Sequence, residues 1–362
     1  MKKPQVALYD PYLDTMGGGE RHVLSILHVL EHERGFTPVI FWDQDLTEAI
    51  RDRLGLTFTK LEFRPDLFRG GATILEKIRS LKEFDSFIYV PDGSYFFSGA
   101  RQNTVFCMVP DRKLYPASVT DRIKTANYRF IANSGFTSSW LARWGFRSTV
   151  LYPYLPEELI SLSKTQPHKE KMILTVGRFF RHLHSKRQDI AIRSFRKLRE
   201  KPEFSGYRFI MAGSVLPGDQ DFLDELRTIA GNDPAIEFKV SISFPELLKL
   251  YEQAEYYWHY AGYGVDAEVN PQNTEHLGIS PLEAMAAGCI TCCYAAGGPT
   301  ELIVNGKNGF LFTSHEELHR EMLSLSDNRK HEIAEYARRF VRERFSYQHF
   351  AREVIHQFAP AT

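Results

Sequence analysis

The chain has 362 residues, with 45 Lys and Arg against 45 Asp and Glu, so its formal net charge is zero. That balance gives no bulk attraction to nucleic acid or to an acidic membrane, and leaves only local patches to attract either. Apolar residues make up 43% and charged residues 25%, the proportions of a soluble globular protein, and the length calls for two domains.

The start, Met1-Lys2-Lys3-Pro4-Gln5, runs into a short apolar stretch ending at Tyr9. That stretch is too short for a signal peptide or a membrane span. The first half then alternates short apolar runs with helical patterns, as expected of a parallel sheet wrapped by helices. Strands are predicted at Val6–Tyr9, Thr37–Trp42, Lys60–Phe63, Ser86–Val90, Thr104–Val109, Phe130–Ala132 and Thr149–Leu151. After the first, Gly17-Gly18-Gly19 leads into an amphipathic helix with Val23, Ile26, Leu27 and Leu30 on one face. Further helices are predicted near Leu46–Leu54, Ala72–Leu81 and Thr137–Trp144.

The polar segment Pro156–Lys171 shows no strand pattern and reads as an interdomain linker. The alternation restarts with strands at Met172–Val176, Arg208–Ala212, Ile236–Lys239, Tyr256–His259 and Ile290–Tyr294. Helices are predicted at Gln188–Leu198, Gln220–Ile229 and Pro245–Gln253, and a helical tail at Glu316–Leu323, Arg329–Arg344 and Gln348–Phe358. Cys289 and Cys292 have CxxC spacing, but residues three apart on a strand point to opposite faces and do not share a metal. With Cys107 and Cys293 they read as core thiols of a reducing, cytoplasmic compartment.

Glu275-His-Leu-Gly-Ile-Ser-Pro-Leu-Glu283-Ala-Met-Ala-Ala-Gly288 carries most of the chemistry. Ser280 is a good N-cap and Pro281 a good first helical residue. This puts Glu275 on the loop before a helix and Glu283 in its first turn. The N–H groups of Leu277, Gly278 and Ile279 approach the same helix end, which favours an anion. Carboxylates on either side of an anion site suit a ligand with a phosphate in the middle and hydroxyls at both ends, as in a nucleotide sugar. Ser280-x-x-Glu283 is equally a capping box, which would make Glu283 structural.

Glu-x7-Glu followed by Ala-Met-Ala-Ala-Gly resembles the signature of the retaining glycosyltransferases of family 4. Gly297-Gly298-Pro299-Thr300-Glu301-Leu302-Ile303 and Asn305-Gly306-Lys307-Asn308-Gly309-Phe310-Leu311 resemble the segments on the C-terminal side of that signature in the family. So do Val176-Gly177-Arg178-Phe179, Asn133-Ser134-Gly135-Phe136-Thr137 and Gly17-Gly18-Gly19-Glu20-Arg21 at their own places, and the resemblance covers nearly the whole chain. It implies an α/β protein of the GT-B fold: two Rossmann-like α/β/α domains facing each other across a cleft, with the C-terminal helix crossing back to the first. The first domain would be 1–160, an acceptor-binding domain joined by 346–362, and the second 170–345, a nucleotide-sugar-binding domain.

The resemblance also implies roles. Arg178 and Lys186 would clamp the diphosphate, Arg187 competing with Lys186, inside a basic run that includes Arg181, His182 and His184. Glu275 would hold donor-sugar hydroxyls and Glu283 the ribose. Gly17, Gly18, Gly19, Gly213, Val240, Leu277, Gly278, Ile279 and Ser280 would line the donor. Asp111, Asn133 and Ser134 would lie on the acceptor side. Many family members carry a histidine near the end of the strand at 104–109, where this chain has Val109, and Asp111 or Arg112 would take its place.

As a dinucleotide fingerprint the glycine loop is deficient, since His22 stands where a glycine is needed. The loop Tyr260–Thr274 either closes over a donor or is a longer surface connection. Leu67 and the aromatics Phe68, Tyr95, Phe96 and Phe97, beside Arg64, Arg69 and Arg101, read as core side chains next to exposed cations, or as a contact of the first domain with a membrane surface.

The expected activity is transfer of a hexose, with retention, from a nucleotide diphosphate sugar to a sugar or lipid-linked saccharide acceptor. A UDP-sugar such as UDP-glucose is favoured and GDP-mannose is the alternative. No metal, cofactor or nucleic-acid partner is expected, and the place is cytoplasmic or peripheral to the inner membrane face. Two readings from other classes remain, a sugar-nucleotide epimerase on the same fold and a non-catalytic nucleotide-sugar-binding protein.

Overall fold

The structure, a computed structural model, describes residues 3–164, 168–181, 185–216 and 218–358. The chain divides into two compact units, 1–154 with 347–362, and 155–346.

In the first unit, β1 (Gln5–Tyr9), β2 (Thr37–Phe41), β3 (Glu62–Arg64), β4 (Ser86–Tyr89), β5 (Gln102–Cys107), β6 (Tyr128–Ala132) and β7 (Ser148–Val150) form a parallel sheet in the order β3-β2-β1-β4-β5-β6-β7. The central strands are buried at nearly every position because helices cover both faces. One face packs α1 (Gly18–Arg34) and α2 (Thr47–Leu54) around Val6, Leu8, Ile40 and Phe106. The other packs α3 (Ile74–Leu81) and α5 (Gly135–Arg143) around Tyr9, Phe87 and Phe130. A short α4 (Val119–Lys124), which the sequence pattern does not announce, leads into β6.

Unlike the one-faced helix expected, α1 is buried almost all round, including Glu20, His22 and Glu31. Part of its cover is α14 (Tyr347–Phe358), whose Phe350, Val354 and Phe358 recur at four-residue steps and join the same core. The rings of Phe68, Tyr95 and Phe96 lie in the core of the second face, while Arg64 pairs with Glu83 and Arg101 with Asp85. The aromatic and basic run is therefore core beside paired surface cations, not a surface aromatic patch. Among the described residues no helix is long and apolar enough to cross a membrane.

The second unit starts with α6 (Glu157–Leu162), which buries Leu159 and Ile160. The segment read as a linker is thus partly core. Its sheet, β10-β9-β8-β11-β12-β13, is again parallel. The strands are β8 (Glu170–Val176), β9 (Arg208–Gly213), β10 (Ile236–Val240), β11 (Ala254–His259), β12 (Ile290–Tyr294) and β13 (Phe310–Phe312). Between them run α7 (Gln188–Arg199), α8 (Gln220–Ala230), α9 (Phe244–Gln253), α10 (Ile279–Ala286) and α11 (Pro299–Leu302). Two helices close the unit, α12 (His315–Ser324) and α13 (Asp327–Arg344). All four cysteines are buried and reduced.

Candidate functional site

In the second unit the loops after β8, β11 and before α10 meet at the carboxyl edge of the sheet, where open α/β sheets take ligands. Lys186 ends the loop after β8. Its ammonium donates to Glu275 Oε2, on the loop before α10, and the two side chains are 22% and 15% exposed. Glu275 Oε2 also accepts from Nε2 of His259, 2.8 Å away at the end of β11, whose side chain is buried. Burial alone would raise the Glu275 carboxyl. The Lys186 charge and the His259 hydrogen bond outweigh it and hold the group well below the usual carboxylate range. Burial in turn lowers the proton affinity of His259, so the ring is neutral and donates from Nε2.

Glycines make this meeting possible. A Cβ on Gly177 would stand 2.7 Å from Lys186 Cγ, and one on Gly213 would collide with the Gly177 carbonyl. Gly213 and Val240 pair across β9 and β10, so Gly213, Gly177 and Lys186 are stacked along one edge. On the other side, a side chain on Gly297 would collide with the Glu275 carbonyl and one on Gly298 with the Leu277 backbone. The Gly298 N–H donates to the Glu275 carbonyl at 2.7 Å. Gly297-Gly298 is thus the bed on which the Glu275 loop lies.

The helix start differs from the sequence expectation. Helix α10 begins at Ile279, its N-cap is Gly278 at φ 104°, and no side chain caps it. Left-handed backbone at Gly278 turns the chain into the helix one residue before Ser280 can cap it. The Ser280 hydroxyl instead bonds Tyr257 Oη at 2.9 Å. Nor does Glu283 close a capping box: its Oε2 accepts from Tyr251 Oη at 2.7 Å. With no side-chain cap, the backbone at Leu277, Gly278 and Ile279 keeps the anion-favouring character of a helix N-terminus.

Arg178 follows β8, is exposed, and lies over the Phe180 ring at 4.1 Å. Arg187 is spent on structure. It sits in left-handed backbone at φ 50°, caps α7, and donates to the Tyr263 carbonyl at 2.6 Å and to Asp189. Lys186, not Arg187, therefore meets Glu275, and Arg187 ties the 260–274 loop to the start of α7. Arg181 pairs with Glu225, while His182 and His184 lie outside the described residues.

In the first unit, Gly17 caps α1 and its N–H donates to the Glu20 carboxylate at 2.7 Å, after Met16 in left-handed backbone. Gly19 lies against Met108, whose Sδ would be 3.0 Å from a Cβ there. Gly18 is the first residue of the helix proper. Asp111 accepts from the Lys113 N–H at the start of a short 3-10 turn, and Arg112 donates to the Tyr115 and Pro116 carbonyls. Asn133 donates to the Met108 carbonyl at 3.2 Å. Ser134 is fully buried and caps α5 through the Thr137 N–H, so it serves the helix and presents no hydroxyl to an acceptor.

Two residues escape a reading of the sequence. His259 looks like the last residue of a strand, and only its pairing with Glu275 marks it. Asp10, fully buried at the end of β1, accepts from the Tyr12 N–H at 2.9 Å through Oδ1, while Oδ2 has no partner among the described residues. Burial, with the Glu20 charge adding, raises its carboxyl to about 7.

Residues 157–342 match the family described as Glycosyl transferases group 1. Over 239 residues the chain is 30% identical to the GDP-Man:Man(3)GlcNAc(2)-PP-Dol alpha-1,2-mannosyltransferase of Mus musculus, covering 59% of this chain and 45% of that protein. The chain thus spans less than half the length of that relative. A glycosyltransferase from Rickettsia africae superposes with a TM-score of 0.76 over 99% of this chain and 98% of that one, at 15% identity. HepE of Anabaena, solved with UDP and glucose, superposes with a TM-score of 0.64 over 98% and 99% at 18% identity. At such identities the likeness speaks for the fold, two Rossmann-like units of the GT-B type. With the family description covering half of the chain and that fold in both units, the chain belongs to the group 1 glycosyl transferases.

Proposed function

We propose that the chain transfers a hexosyl group from a nucleotide diphosphate sugar to a saccharide hydroxyl, with retention and without a metal. The observation that supports this best is the Lys186–Glu275–His259 cluster beside the open N-terminus of α10. It sets a cation, a fixed carboxylate and backbone donors around one point. The cation and the helix end stabilise charge that builds on the leaving diphosphate. Glu275 stays ionised and accepts from sugar hydroxyls, and His259 fixes which way its carboxylate faces. The sugar is oriented while its anomeric carbon becomes cationic, and the leaving phosphate takes the acceptor proton on the same face. Glu283, whose Oε2 accepts from Tyr251, is assigned to the ribose.

For the donor, GDP-mannose moves ahead of a UDP-sugar. The mouse relative is by its name a GDP-mannose enzyme acting on a lipid-linked saccharide, whereas the UDP-bound HepE shares only the fold. Incubation with GDP-mannose or UDP-glucose, with and without saccharide acceptors, tests the reading. Acceptor-dependent release of nucleotide is expected from one of them. Isomerised donor without release would make the protein an epimerase, and binding without turnover a binding protein.

A further inference from the structure

The sheet of the second unit has an opposite edge that the donor site does not use. β8, β11 and β12 lie side by side, and a cavity of about 300 Å3 opens beside their first residues. Strands of this length put it about 20 Å from Glu275. One wall is a single face of α13, where Lys330, Ala334 and Arg338 recur at four-residue steps. The other is Lys169, Glu255 and Gly288.

The charges lining it are unevenly answered. Glu255 is engaged twice, by Lys330 at 2.6 Å and by the Tyr207 hydroxyl. Lys169 donates to the Ala287 and Tyr251 carbonyls at 2.8 and 3.2 Å and to the Cys289 sulfur at 3.8 Å, and makes no ion pair among the described residues. Burial lowers its proton affinity, and the nearby Arg338 charge adds to that. The Arg338 side chain is 5% exposed. It gives one nitrogen to Glu335 at 2.6 Å, and its Nε has no partner among the described residues. The guanidinium lies flat on Gly288, where any Cβ would collide with it. A buried arginine with an unused donor, beside a lysine whose partners are two carbonyls and a thiol and include no anion, is an arrangement that an oxyanion completes.

We propose that this cavity binds a small oxyanion, inorganic phosphate or the phosphate end of a phosphorylated metabolite, through Arg338 with Lys169 supplying charge. Ala334 leaves the room for it. Lys169 and Gly288 also hold the C-terminal end of α10, whose other end carries the donor loop, so a bound anion acts on the same helix as the nucleotide.

The test is equilibrium dialysis of the full chain with radiolabelled inorganic phosphate. The variants are Arg338→Gln, Ala334→Met, which fills the cavity and removes no charge, and Lys186→Ala at the donor edge. Saturable binding is expected in the wild type and in Lys186→Ala, weakened about tenfold or more in both cavity variants. If Arg338→Gln fails to fold, Ala334→Met alone decides. Glycerol 3-phosphate is run as competitor: displacement of phosphate is expected if the site takes the phosphate end of a metabolite, and no displacement assigns it to free phosphate. Binding that survives Ala334→Met, or that is lost only in Lys186→Ala, overturns the proposal, as does a wild type that binds no phosphate. None of these outcomes depends on glycosyl transfer.

Discussion

Replacing Lys186 by Met removes the charge that keeps Glu275 ionised while preserving most of the stem packed on Gly177. Breaking a buried ion pair from one side typically costs about 3–5 kcal/mol. Here the partners are 22% and 15% exposed and His259 still donates to the carboxylate, so we expect a smaller loss, about 2–3 kcal/mol at pH 7. The loss has a definite pH dependence. In the wild type the Glu275 carboxyl is held below its unfolded value, so its contribution to stability is present above about pH 4–5 and fades as pH falls through the folded value. In the variant, burial dominates and raises the carboxyl instead. The deficit against wild type is then full at neutral pH, starts to shrink as pH falls through the variant's raised carboxyl, and closes only below the depressed wild-type value, where both proteins carry the protonated acid. Calorimetric melting at pH 7 should show the second unit destabilised by about 5–10 °C, at roughly 2–4 °C per kcal/mol, with the gap closing at acid pH. A deficit equal at pH 4 and pH 7, or none at either, would refute the coupling of Lys186 to Glu275.

Arg178→Ala should lower turnover about a hundredfold or more, as loss of a charge-stabilising donor does, with an unchanged melting temperature because the side chain is exposed; wild-type kinetics would end its assignment to the diphosphate. Glu283→Gln should weaken nucleotide diphosphate binding about tenfold by calorimetric titration, whereas Glu275→Gln should leave that binding intact and cut turnover of the whole donor. Equal effects of the two on nucleotide binding would remove their division of labour. Turnover should survive EDTA, and activity lost in chelator and restored by Mn²⁺ would contradict the metal-free reading. Asp10, raised to about 7, costs stability progressively as pH climbs from about 4 to 7. Asp10→Asn should flatten that slope and be the more stable protein at pH 8, and a variant with the wild-type slope would show that another group carries it.

The alternation of strands and helices was legible because the central strands of both sheets are buried on both faces, and a continuous apolar run of five residues announces itself. What escaped was short or locally ambiguous. The six-residue α6 buries only Leu159 and Ile160 amid acidic neighbours, so it looked like linker. The three residues of β13 gave too little pattern to read. At α10 the rule for N-caps favoured Ser280, but the left-handed turn at Gly278 started the helix first and freed the serine for Tyr257. Glu275, Lys186 and Arg178 could be singled out by residue type and motif. His259 could not, because its significance is a hydrogen bond across 16 positions of sequence. The competition between Lys186 and Arg187 likewise needed coordinates, since only the backbone turn at Arg187 sends its guanidinium to Tyr263.

The closing helix gives the protein an unusual order of assembly. Val354 and Phe358 belong to the same core as Leu24 and Leu27, and the His22 ring meets that of Phe350 5.9 Å away. A growing chain therefore emerges from the ribosome with one wall of its first unit missing, and carries that open apolar seam while all of 155–346 is made. The second unit is contiguous and can complete its core on its own. The half translated first is thus the half finished last, and a nascent or prematurely stopped chain bears the exposed surface that chaperones hold and proteases find.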